Sequence, residues 1–390
     1  MISSFSLLFI PKFYFGSGSR RELLPAILNF GKNVLLITGD KSFYNSDYCI
    51  EILDLLKAEG IELNHVRVNG EPTVESIDKI CKQYRNKSID VVVSIGGGSV
   101  IDTGKAVSAM LTVDDSIENY LEGSQSFKYH PGMKLPFIAM PTTAGTGSEA
   151  TKNAVIAKYG VSGFKRSLRH DNFIPDIAII DADFLKTCPV EVFVASGLDA
   201  LTQLIESYIS IKSSYITDIL SLEGLKLIAH SFTKAIDGDE EAQINMSMSA
   251  FLSGITLANS GLGVVHGFAS SIGGLYNIPH GVICGTLLPA VMKASVDEIY
   301  KNPDKYSLTA NKFIKMSALF TTNSNESDMT KMSSFIDILY SWVEKYKIPL
   351  LRNYGLNIDK TDEIINKTSQ KEGPIKFSSS ILKEILISRI

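Results

Sequence analysis

The sequence predicts an α/β domain built on a Rossmann-like parallel sheet, followed by a C-terminal domain that is entirely helical. In the first half, short β-branched runs alternate with stretches of helical periodicity, a pattern typical of parallel sheets with crossover helices. From about Phe184 onward, long amphipathic stretches follow one another. The chain has 390 residues, more than a single core usually holds, so we predict two domains, at residues 1–183 and 184–390.

Each element is predicted from its apolar pattern. The strands of the first domain are expected at residues 34–38, 63–68, 91–95, 137–140 and 177–180. Its helices are expected at residues 48–58 and 74–84 and from Ser99 onward. The apolar N-terminus lacks the basic start of a signal peptide, and its Phe and Ile content favours a further strand. Helices of the second domain are expected to include residues 196–211, 216–235 and 242–258.

Composition and charge are those of a globular protein, with 45% hydrophobic and 21% charged residues. The net charge of −4, without a sustained basic run, argues against nucleic acid and anionic membranes as partners. An uninterrupted apolar stretch of about 18 residues is absent from the sequence, so no membrane span is expected. The four cysteines form no C-x-x-C pair, which favours reduced thiols and a cytoplasmic location.

Three adjacent glycines follow the apolar run at residues 91–95 and precede the helix that starts near Ser99. Because Gly96, Gly97 and Gly98 lack Cβ atoms, their backbone N–H groups can approach an anion, and the helix N-terminus adds positive partial charge. The spacing matches neither G-x-G-x-x-G nor G-x-x-x-x-G-K-[ST]. We interpret the run as a phosphate or pyrophosphate site of a nucleotide; a turn that needs glycine only for packing is the alternative.

A second dense motif, PTTAGTGSE at residues 141–149, directly follows a predicted strand. Its hydroxyls and exposed backbone amides suit hydrogen bonds to a sugar, a phosphate or a carboxamide. A plain turn is the alternative interpretation. Because ligands bind at the carboxyl ends of parallel strands, we favour ligand contact.

A third group of residues could bind a metal ion. Asp199 and Gln203 stand four residues apart in a helical stretch, so their oxygen-bearing side chains project from one face. His266 and His280 are separated by a glycine-rich stretch and a proline turn. One aspartate and two histidines suit iron or zinc, although solvated or structural roles are the alternative for such separated residues.

These motifs occur in the order found in the iron-containing (group III) alcohol dehydrogenase family, which the sequence resembles over nearly its whole length. The glycine run extends to G-G-G-S-x-x-D-x-x-K through Asp102 and Lys105, and residues 141–149 match P-T-T-x-G-[TS]-G-[SA]-E. The further matches are Lys165, Pro175 and Asp181, the run Gly197-Leu198-Asp199-Ala200-Leu201, and the segments Gly263-Val264-Val265-His266-Gly267 and Ile278-Pro279-His280-Gly281.

The resemblance implies a dinucleotide-binding domain followed by a helical domain, as in dehydroquinate synthase-like architectures, with the active site in the cleft between them. It implies an NAD(P)-dependent alcohol dehydrogenase or aldehyde reductase, an oxidoreductase acting on CH–OH groups of a small alcohol or aldehyde. In the family a divalent metal, usually iron and sometimes zinc, is held by one aspartate and three histidines. The metal polarises the substrate oxygen while hydride passes to or from the nicotinamide.

The resemblance also assigns residues. The metal ligands would be Asp199, Gln203, His266 and His280, of which Asp199, His266 and His280 are the expected catalytic residues. The residues expected to contact the cofactor are Asp40, Gly96, Gly97, Gly98, Ser99, Asp102, Thr142, Thr143, Thr146, Ser148 and Lys165.

The sequence departs from the family pattern at two positions. Gln203 stands where the family has its first metal-binding histidine, and Ser270 stands where a histidine often helps to relay a proton. An amide oxygen is a poorer donor than imidazole, so weaker metal binding is expected, and a metal-free hydride-transfer site is the rival. Ser270 cannot act as a general base near neutral pH.

Asp40 favours NAD over NADP, because a carboxylate after this strand bonds the ribose hydroxyls and repels a 2′-phosphate. Many family members that prefer NAD carry the acidic residue one place earlier, where this chain has Gly39, so NADP is the alternative. The family often assembles as dimers or larger oligomers by pairing N-terminal strands, which the apolar residues 5–15 suit. A homodimer or larger assembly is therefore expected.

Two alternative functions share this architecture or its motifs. Dehydroquinate synthase and glycerol-1-phosphate dehydrogenase have a similar architecture, but they need basic residues for a substrate phosphate, and no arginine or lysine cluster adjoins the metal motifs here. A chain that binds nucleotide but has lost turnover is the second alternative, and the intact glycine and threonine motifs argue against it.

Overall fold

The structure, a computed structural model, describes residues 4–41, 43–159, 163–321 and 326–390. The chain divides into two compact units. One contains residues 8–189, and the other contains residues 190–390 together with the described residues that precede Leu8.

The first unit is built on a parallel sheet of six strands in the order β1-β8-β5-β4-β2-β3. The remaining two strands, β6 and β7, pair as an antiparallel hairpin. The strands are β1 Lys12–Phe15, β2 Asn33–Gly39, β3 Glu62–Val68, β4 Val91–Gly96, β5 Phe137–Pro141, β6 Asn153–Lys158, β7 Phe164–Arg169 and β8 Ile177–Ile180.

Helices cover both faces of this sheet. They are α1 Leu23–Leu28, α2 Tyr48–Ala58, α3 Val74–Tyr84 and α4 Gly98–Met110. Alternate residues of β2 enter two separate cores: Leu35 packs in the core that includes residues of α3 and α4, and Leu36 packs in the core that includes residues of α1 and α2. Because both faces are covered, β4 is buried throughout, which explains its continuous apolar run.

The strand order reverses at β2, whose neighbours are β3 on one side and β4 on the other. In open α/β sheets ligands bind at such a switch point, outside the carboxyl ends of the strands. Asp40 follows β2 and Gly97 follows β4, so both flank this point. The register also pairs Gly96 with Pro141, which brings the start of the threonine-rich loop next to the glycine loop.

The second unit is helical throughout its described elements. They are α5 Val190–Ile209, α6 Tyr215–Ile236, α7 Glu240–Ser260, α8 Val264–Leu275, α9 His280–Lys301, α10 Ser307–Ser317, α11 Asp328–Lys345, α12 Thr361–Lys367 and α13 Ser379–Ile387. Helix α5 is central, since α6, α7 and α9 all pack against it and nearly all of its residues from Phe193 onward are buried.

The predicted fold class is confirmed, and each predicted strand and helix lies within or overlaps an observed one. The hairpin β6–β7 was not predicted, since its charged residues obscure the alternation expected of a strand. Only Lys12–Phe15 of the expected N-terminal strand is a strand in the described chain. Residues 184–189, assigned from sequence to the helical domain, group with the sheet unit because Phe184 is buried in its core.

Among the described residues, no single helix is long and apolar enough to cross a membrane. Helices α7 and α8 reach that length and composition only when taken together, with a bend of 95° between them.

Candidate nucleotide and metal sites

Helix α4 begins inside the glycine run, with Gly97 as its N-cap, and no side chain caps it. The N–H groups of Val100 and Ile101 both bond to the Gly97 carbonyl, which leaves the amides that precede them pointing outward from the first turn. An uncapped N-terminus of a helix of 13 residues attracts an anion through these amides and the helix dipole. The geometry therefore suits a phosphate or pyrophosphate.

The threonine-rich loop lies against this helix start. The Thr142 N–H bonds to the Gly96 carbonyl at 3.0 Å. Within the described chain, the buried hydroxyl Oγ1 of Thr142 has no hydrogen-bond partner. A buried hydroxyl without a partner costs free energy, so a ligand group that bonds to it would be stabilising.

Gly97 and Gly98 differ in the space around them, and this difference gives a first prediction. A Cβ at Gly98 would lie 2.5 Å from Thr146 Cγ2, whereas a Cβ at Gly97 would meet Thr143 at an ordinary 3.5 Å. We expect Gly98→Ala to destabilise the free protein by about 1–3 kcal/mol through overpacking. Gly97→Ala should leave stability within about 1 kcal/mol of wild type.

The same Gly97→Ala variant should weaken NADH binding by about tenfold or more, because its methyl group takes the space where the backbone approaches the phosphates. Denaturant unfolding and a fluorescence titration with NADH check the two effects. If Gly97→Ala binds NADH as wild type does, the glycine run serves packing alone.

Two of the predicted cofactor residues, Asp102 and Ser148, take part in a buried polar network. The Ser148 hydroxyl donates to Asp102 Oδ1, and the Val155 N–H donates to Asp102 Oδ2. The buried Lys105 ammonium donates to both the carbonyl and the hydroxyl of Ser148. These contacts tie α4 to the loop after β5, so Asp102 and Ser148 hold the loops in place.

Two more predicted cofactor residues lie elsewhere in the sheet unit. Lys165 is on β7, where its ammonium pairs with Glu71 at 2.6 Å. Asp40 is exposed directly after β2. Asp40 lies at the carboxyl end of β2, the position expected of a residue that hydrogen-bonds to the nucleotide ribose.

Glu149 and Lys105 are both buried, and the pKa of each differs from its ordinary value. Burial raises the pKa of Glu149 to about 7, against the weaker effect of the facing Lys105. Burial lowers the pKa of Lys105 to about 8, although Asp102 and Glu149 oppose this.

A second prediction concerns the pH dependence of stability. The folded-state pKa of Glu149 lies above its ordinary value of 4.5, so the folded chain keeps this proton longer than the unfolded chain does. The resulting stability is complete below pH 4.5 and is lost as the pH rises through about 7. Between about pH 5 and pH 8, Glu149→Gln should therefore gain stability relative to wild type. Thermal unfolding across this range checks it, with the exposed Glu75→Gln as the control that should show no such trend.

In the helical unit, three of the predicted metal residues come together. His266 is in the first turn of α8, and His280 is the first residue of α9. Their Nε2 atoms lie 3.3 and 3.6 Å from Asp199 Oδ1 on α5. A close approach of α9 to α5 makes this possible, since a Cβ at Gly281 would lie 2.3 Å from the Ala195 carbonyl oxygen.

Within the part of the chain that the structure describes, the oxygen at the centre of this group faces two imidazole nitrogens at ion-pair distance. Asp199 is 1% exposed, and within the described chain its buried Oδ1 accepts no hydrogen bond of ordinary geometry. A buried carboxylate oxygen that faces two imidazole nitrogens is the arrangement expected around a cation. The donor set fits a divalent metal ion.

Both ends of the amide of Gln203, the fourth predicted ligand, are engaged in hydrogen bonds. Its Nε2 donates to Asp199 Oδ2 at 3.0 Å, and its Oε1 accepts from the Ser253 hydroxyl at 2.6 Å. Since a carboxylate only accepts, it fixes the amide nitrogen on its own side and turns the amide oxygen toward Ser253. The structure thus places Gln203 as a residue that orients Asp199.

Two further residues of this site were not found from sequence. Glu206 is buried on α5 and accepts hydrogen bonds from the N–H groups of Gly263 and Val265 and from His266 Nδ1, the last at 2.7 Å. It therefore directs His266 Nε2 toward Asp199, as carboxylates do behind metal-binding histidines. Cys284 places its Sγ 3.8 Å from His266 Nε2 and 3.7 Å from His280 Nε2.

The spacing of Glu206 and Cys284 along their helices could have predicted both residues from sequence. Glu206 stands seven residues after Asp199 on α5, and Cys284 stands four after His280 on α9, so each shares a helix face with a predicted ligand. Ser270, in contrast, is exposed, and its hydroxyl donates to the His266 carbonyl of its own helix.

The ionisable groups of this cluster influence one another. Burial opposes charge on Asp199, but the facing His280 and His266 outweigh it and lower its pKa. Burial likewise opposes charge on Cys284, and the same two histidines lower its pKa. The pKa of His266 is raised well above its ordinary value by Cys284 and Asp199, although burial acts against this.

A parallel sheet with an uncapped glycine loop beside its switch point, and a helical unit with a buried carboxylate–histidine cluster, are features of a nucleotide-dependent oxidoreductase that uses a divalent cation. Comparison with known proteins agrees. Residues 11–182 match the family model described as iron-containing alcohol dehydrogenase. Residues 193–386 match the C-terminal model of the Fe-containing alcohol dehydrogenase family.

Individual proteins show the same relationship. The NADPH-dependent butanol dehydrogenase of Clostridium saccharobutylicum is 29% identical over 362 residues, which cover 92% of this chain and 89% of that protein. The lactaldehyde reductase of Escherichia coli strain K12 is 33% identical over 289 residues, covering 73% and 74%. The solved structure of the alcohol dehydrogenase from Oenococcus oeni is 26% identical, covers 99% of this chain and 100% of its own, and has a TM-score of 0.84.

The chain belongs to the iron-containing alcohol dehydrogenase family. It is an oxidoreductase of alcohol and aldehyde groups, and the family implies that it uses NAD(P) and a metal ion. The resemblance predicted from the motifs is confirmed.

Proposed function

We propose that the protein interconverts a small alcohol and its aldehyde with NAD, and that Asp199, His266 and His280 hold the divalent metal ion. The observation that carries the proposal is Asp199 Oδ1, which is buried between two imidazole Nε2 atoms and accepts no hydrogen bond of ordinary geometry from the described residues. A metal ion at these atoms would polarise the substrate oxygen as a Lewis acid.

Hydrogen bonds within the helical unit orient the side chains that would hold this ion. Gln203 orients the Asp199 carboxylate, and Glu206 orients the His266 ring through its Nδ1–H group. His280 is partly exposed, with 37% of its side chain accessible, so the cluster is open to solvent on the His280 side. Because the Ser270 hydroxyl is committed to a helix carbonyl, the proton is expected to pass through water or the ribose hydroxyls.

In the sheet unit, the N-terminus of α4 is proposed to hold the pyrophosphate of NAD. The partnerless Thr142 hydroxyl is the second contact that we assign to the cofactor, with Thr143 and Thr146 beside the glycine run. Gly97 lies between these groups and lets the backbone approach the phosphates.

The direct test measures oxidation of NADH with a panel of small aldehydes before and after chelation of the metal. Chelated protein should lose turnover, keep its NADH affinity, and recover turnover when one equivalent of Zn²⁺ or Fe²⁺ is restored. Turnover that survives complete chelation would support a metal-free site. NADH binding without turnover, whichever metal is restored, would indicate a chain that has lost catalysis.

Nucleotide choice is proposed to depend on Asp40, and this gives a third prediction. Removing the carboxylate should relieve repulsion of the 2′-phosphate and shift the ratio of kcat/KM for NADH over NADPH about tenfold toward NADPH. The measurement compares Asp40→Ser with Asp54→Ser, an exposed aspartate on α2 of the same unit. An equal ratio in both variants would contradict the role of Asp40.

A homodimer or larger assembly is also proposed. Phe5, Phe9 and Phe13 are exposed near the N-terminus, and β1 is an edge strand paired only with β8 in the described chain. Exposed apolar side chains beside an open strand edge favour pairing with a second copy. Light scattering of the purified protein gives the oligomeric state.

A further inference from the structure

Cys284 occupies a position that neither the motifs nor the family resemblance assigns. It lies one helical turn after His280 on α9, is buried, and directs its Sγ at both histidines of the cluster. Gly285 allows this, since a Cβ there would lie 2.8 Å from Leu198 on α5. The sulfur, the carboxylate oxygen of Asp199 and the two imidazole nitrogens all lie within 4.8 Å of one another.

Four of the six distances among these atoms are close to the edges of a tetrahedral shell, and all six are within 4.8 Å. Zinc bonds of about 2.0–2.1 Å to O and N, and of about 2.3 Å to S, set edges of about 3.3 Å between O and N and about 3.6 Å between N and S. The observed distances from oxygen to nitrogen are 3.3 and 3.6 Å. Those from nitrogen to sulfur are 3.8 and 3.7 Å. The four atoms are thus already close to the positions that one ion needs.

Gln203 does not compete for the fourth position. Both ends of its amide are occupied, the nitrogen by Asp199 and the oxygen by Ser253. To bind the ion, the amide would have to give up its bond to Asp199 and turn its oxygen away from the Ser253 hydroxyl.

We infer that the Cys284 thiolate is the fourth protein ligand, which restores the four-ligand count that the substitution at position 203 would otherwise reduce to three. This inference rests on the proposed function and makes the site an Asp-His-His-Cys set. The substrate oxygen would then need a fifth coordination position, to which zinc sites can expand. On binding, the S–H proton passes to solvent and the S–metal bond forms, with no change of oxidation state. Because a thiolate is a soft ligand, this set selects Zn²⁺ over Fe²⁺.

The test uses Co²⁺ as a spectroscopic substitute for Zn²⁺. Full-length protein is freed of metal with a chelator, loaded anaerobically with one equivalent of Co²⁺, and recorded in the visible and near-ultraviolet. A thiolate ligand produces a charge-transfer band in the near-ultraviolet that oxygen and nitrogen ligands do not. Wild type and Cys188→Ser, whose cysteine lies in the other unit, should both show this band. Cys284→Ser should lose it and should weaken Zn²⁺ binding by on the order of 100-fold.

A second measurement does not depend on the folding of any variant. X-ray absorption of the zinc-loaded wild type should show one sulfur at about 2.3 Å.

The outcomes separate this inference from the proposed function. Stoichiometric Co²⁺ without the charge-transfer band, and zinc without a sulfur neighbour, would overturn the role of Cys284 but leave metal-dependent reduction in place. Wild type that binds neither Co²⁺ nor Zn²⁺ would overturn both. A band that persists in Cys284→Ser would assign the thiolate to another cysteine and overturn the inference alone.

Discussion

Replacing Asp199 with asparagine is expected to abolish stoichiometric metal binding and to lower kcat/KM for aldehyde reduction by about three orders of magnitude or more. The substitution preserves size but removes the negative charge between His266 and His280 and places an amide where the buried Oδ1 now lies. A Lewis acid supplies several kcal/mol of stabilisation to the developing charge, and each 1.36 kcal/mol is worth about tenfold in rate.

Elemental analysis and steady-state kinetics of Asp199→Asn provide the measurement. The matched control is Asp337→Asn, an exposed aspartate on α11 of the same unit, which should keep its metal and its rate. The Kd for NADH should stay unchanged in both, because the proposed nucleotide residues belong to the sheet unit. A metal-free Asp199→Asn protein whose rate stays within about tenfold of wild type would contradict the metal-dependent mechanism.

Glu206→Gln should produce the next largest effect although Glu206 is not one of the proposed metal ligands. The carboxylate accepts from three backbone N–H groups at the α8 start, those of Gly263, Val265 and His266, and from His266 Nδ1. In Gln, one of these donors would face an NH₂ group, so we expect a loss of about 1–3 kcal/mol in the free energy of unfolding. Metal affinity should fall about 10–100-fold, because the His266 ring is no longer held.

Adding metal separates the effect of Glu206→Gln on metal binding from its effect on stability. If Glu206 positions His266, excess Zn²⁺ should restore much of the lost kcat without restoring the stability of the metal-free protein. Glu223→Gln, an exposed residue of α6, should change neither quantity. Unchanged metal affinity in a destabilised Glu206→Gln protein would limit Glu206 to capping α8.

The sequence by itself determined the fold class and the positions of the loops that we propose to bind the cofactor. Periodicity is a local property, so the helix at Val74–Tyr84 and the strand at Ile177–Ile180 could be predicted to the residue. The glycine run could be predicted for the same reason, since a strand, three glycines and a helix start are neighbours in the chain. The candidate ligands Asp199, His266 and His280 could be predicted from sequence motifs, because a motif can be recognised without knowledge of tertiary contacts.

Only the tertiary structure decided what the buried polar groups do. Gln203 was predicted as a ligand, but whether its amide oxygen faces the cluster depends on Ser253, which is 50 residues away in sequence. Lys105 and Ser148 hold loops together through contacts that span 43 residues. Glu206 and Cys284 gained candidate roles only when α8 and α9 packed against α5. Side-chain chemistry limits which bonds a residue can form, but the partner comes from the packing of distant segments, and local sequence does not encode that packing.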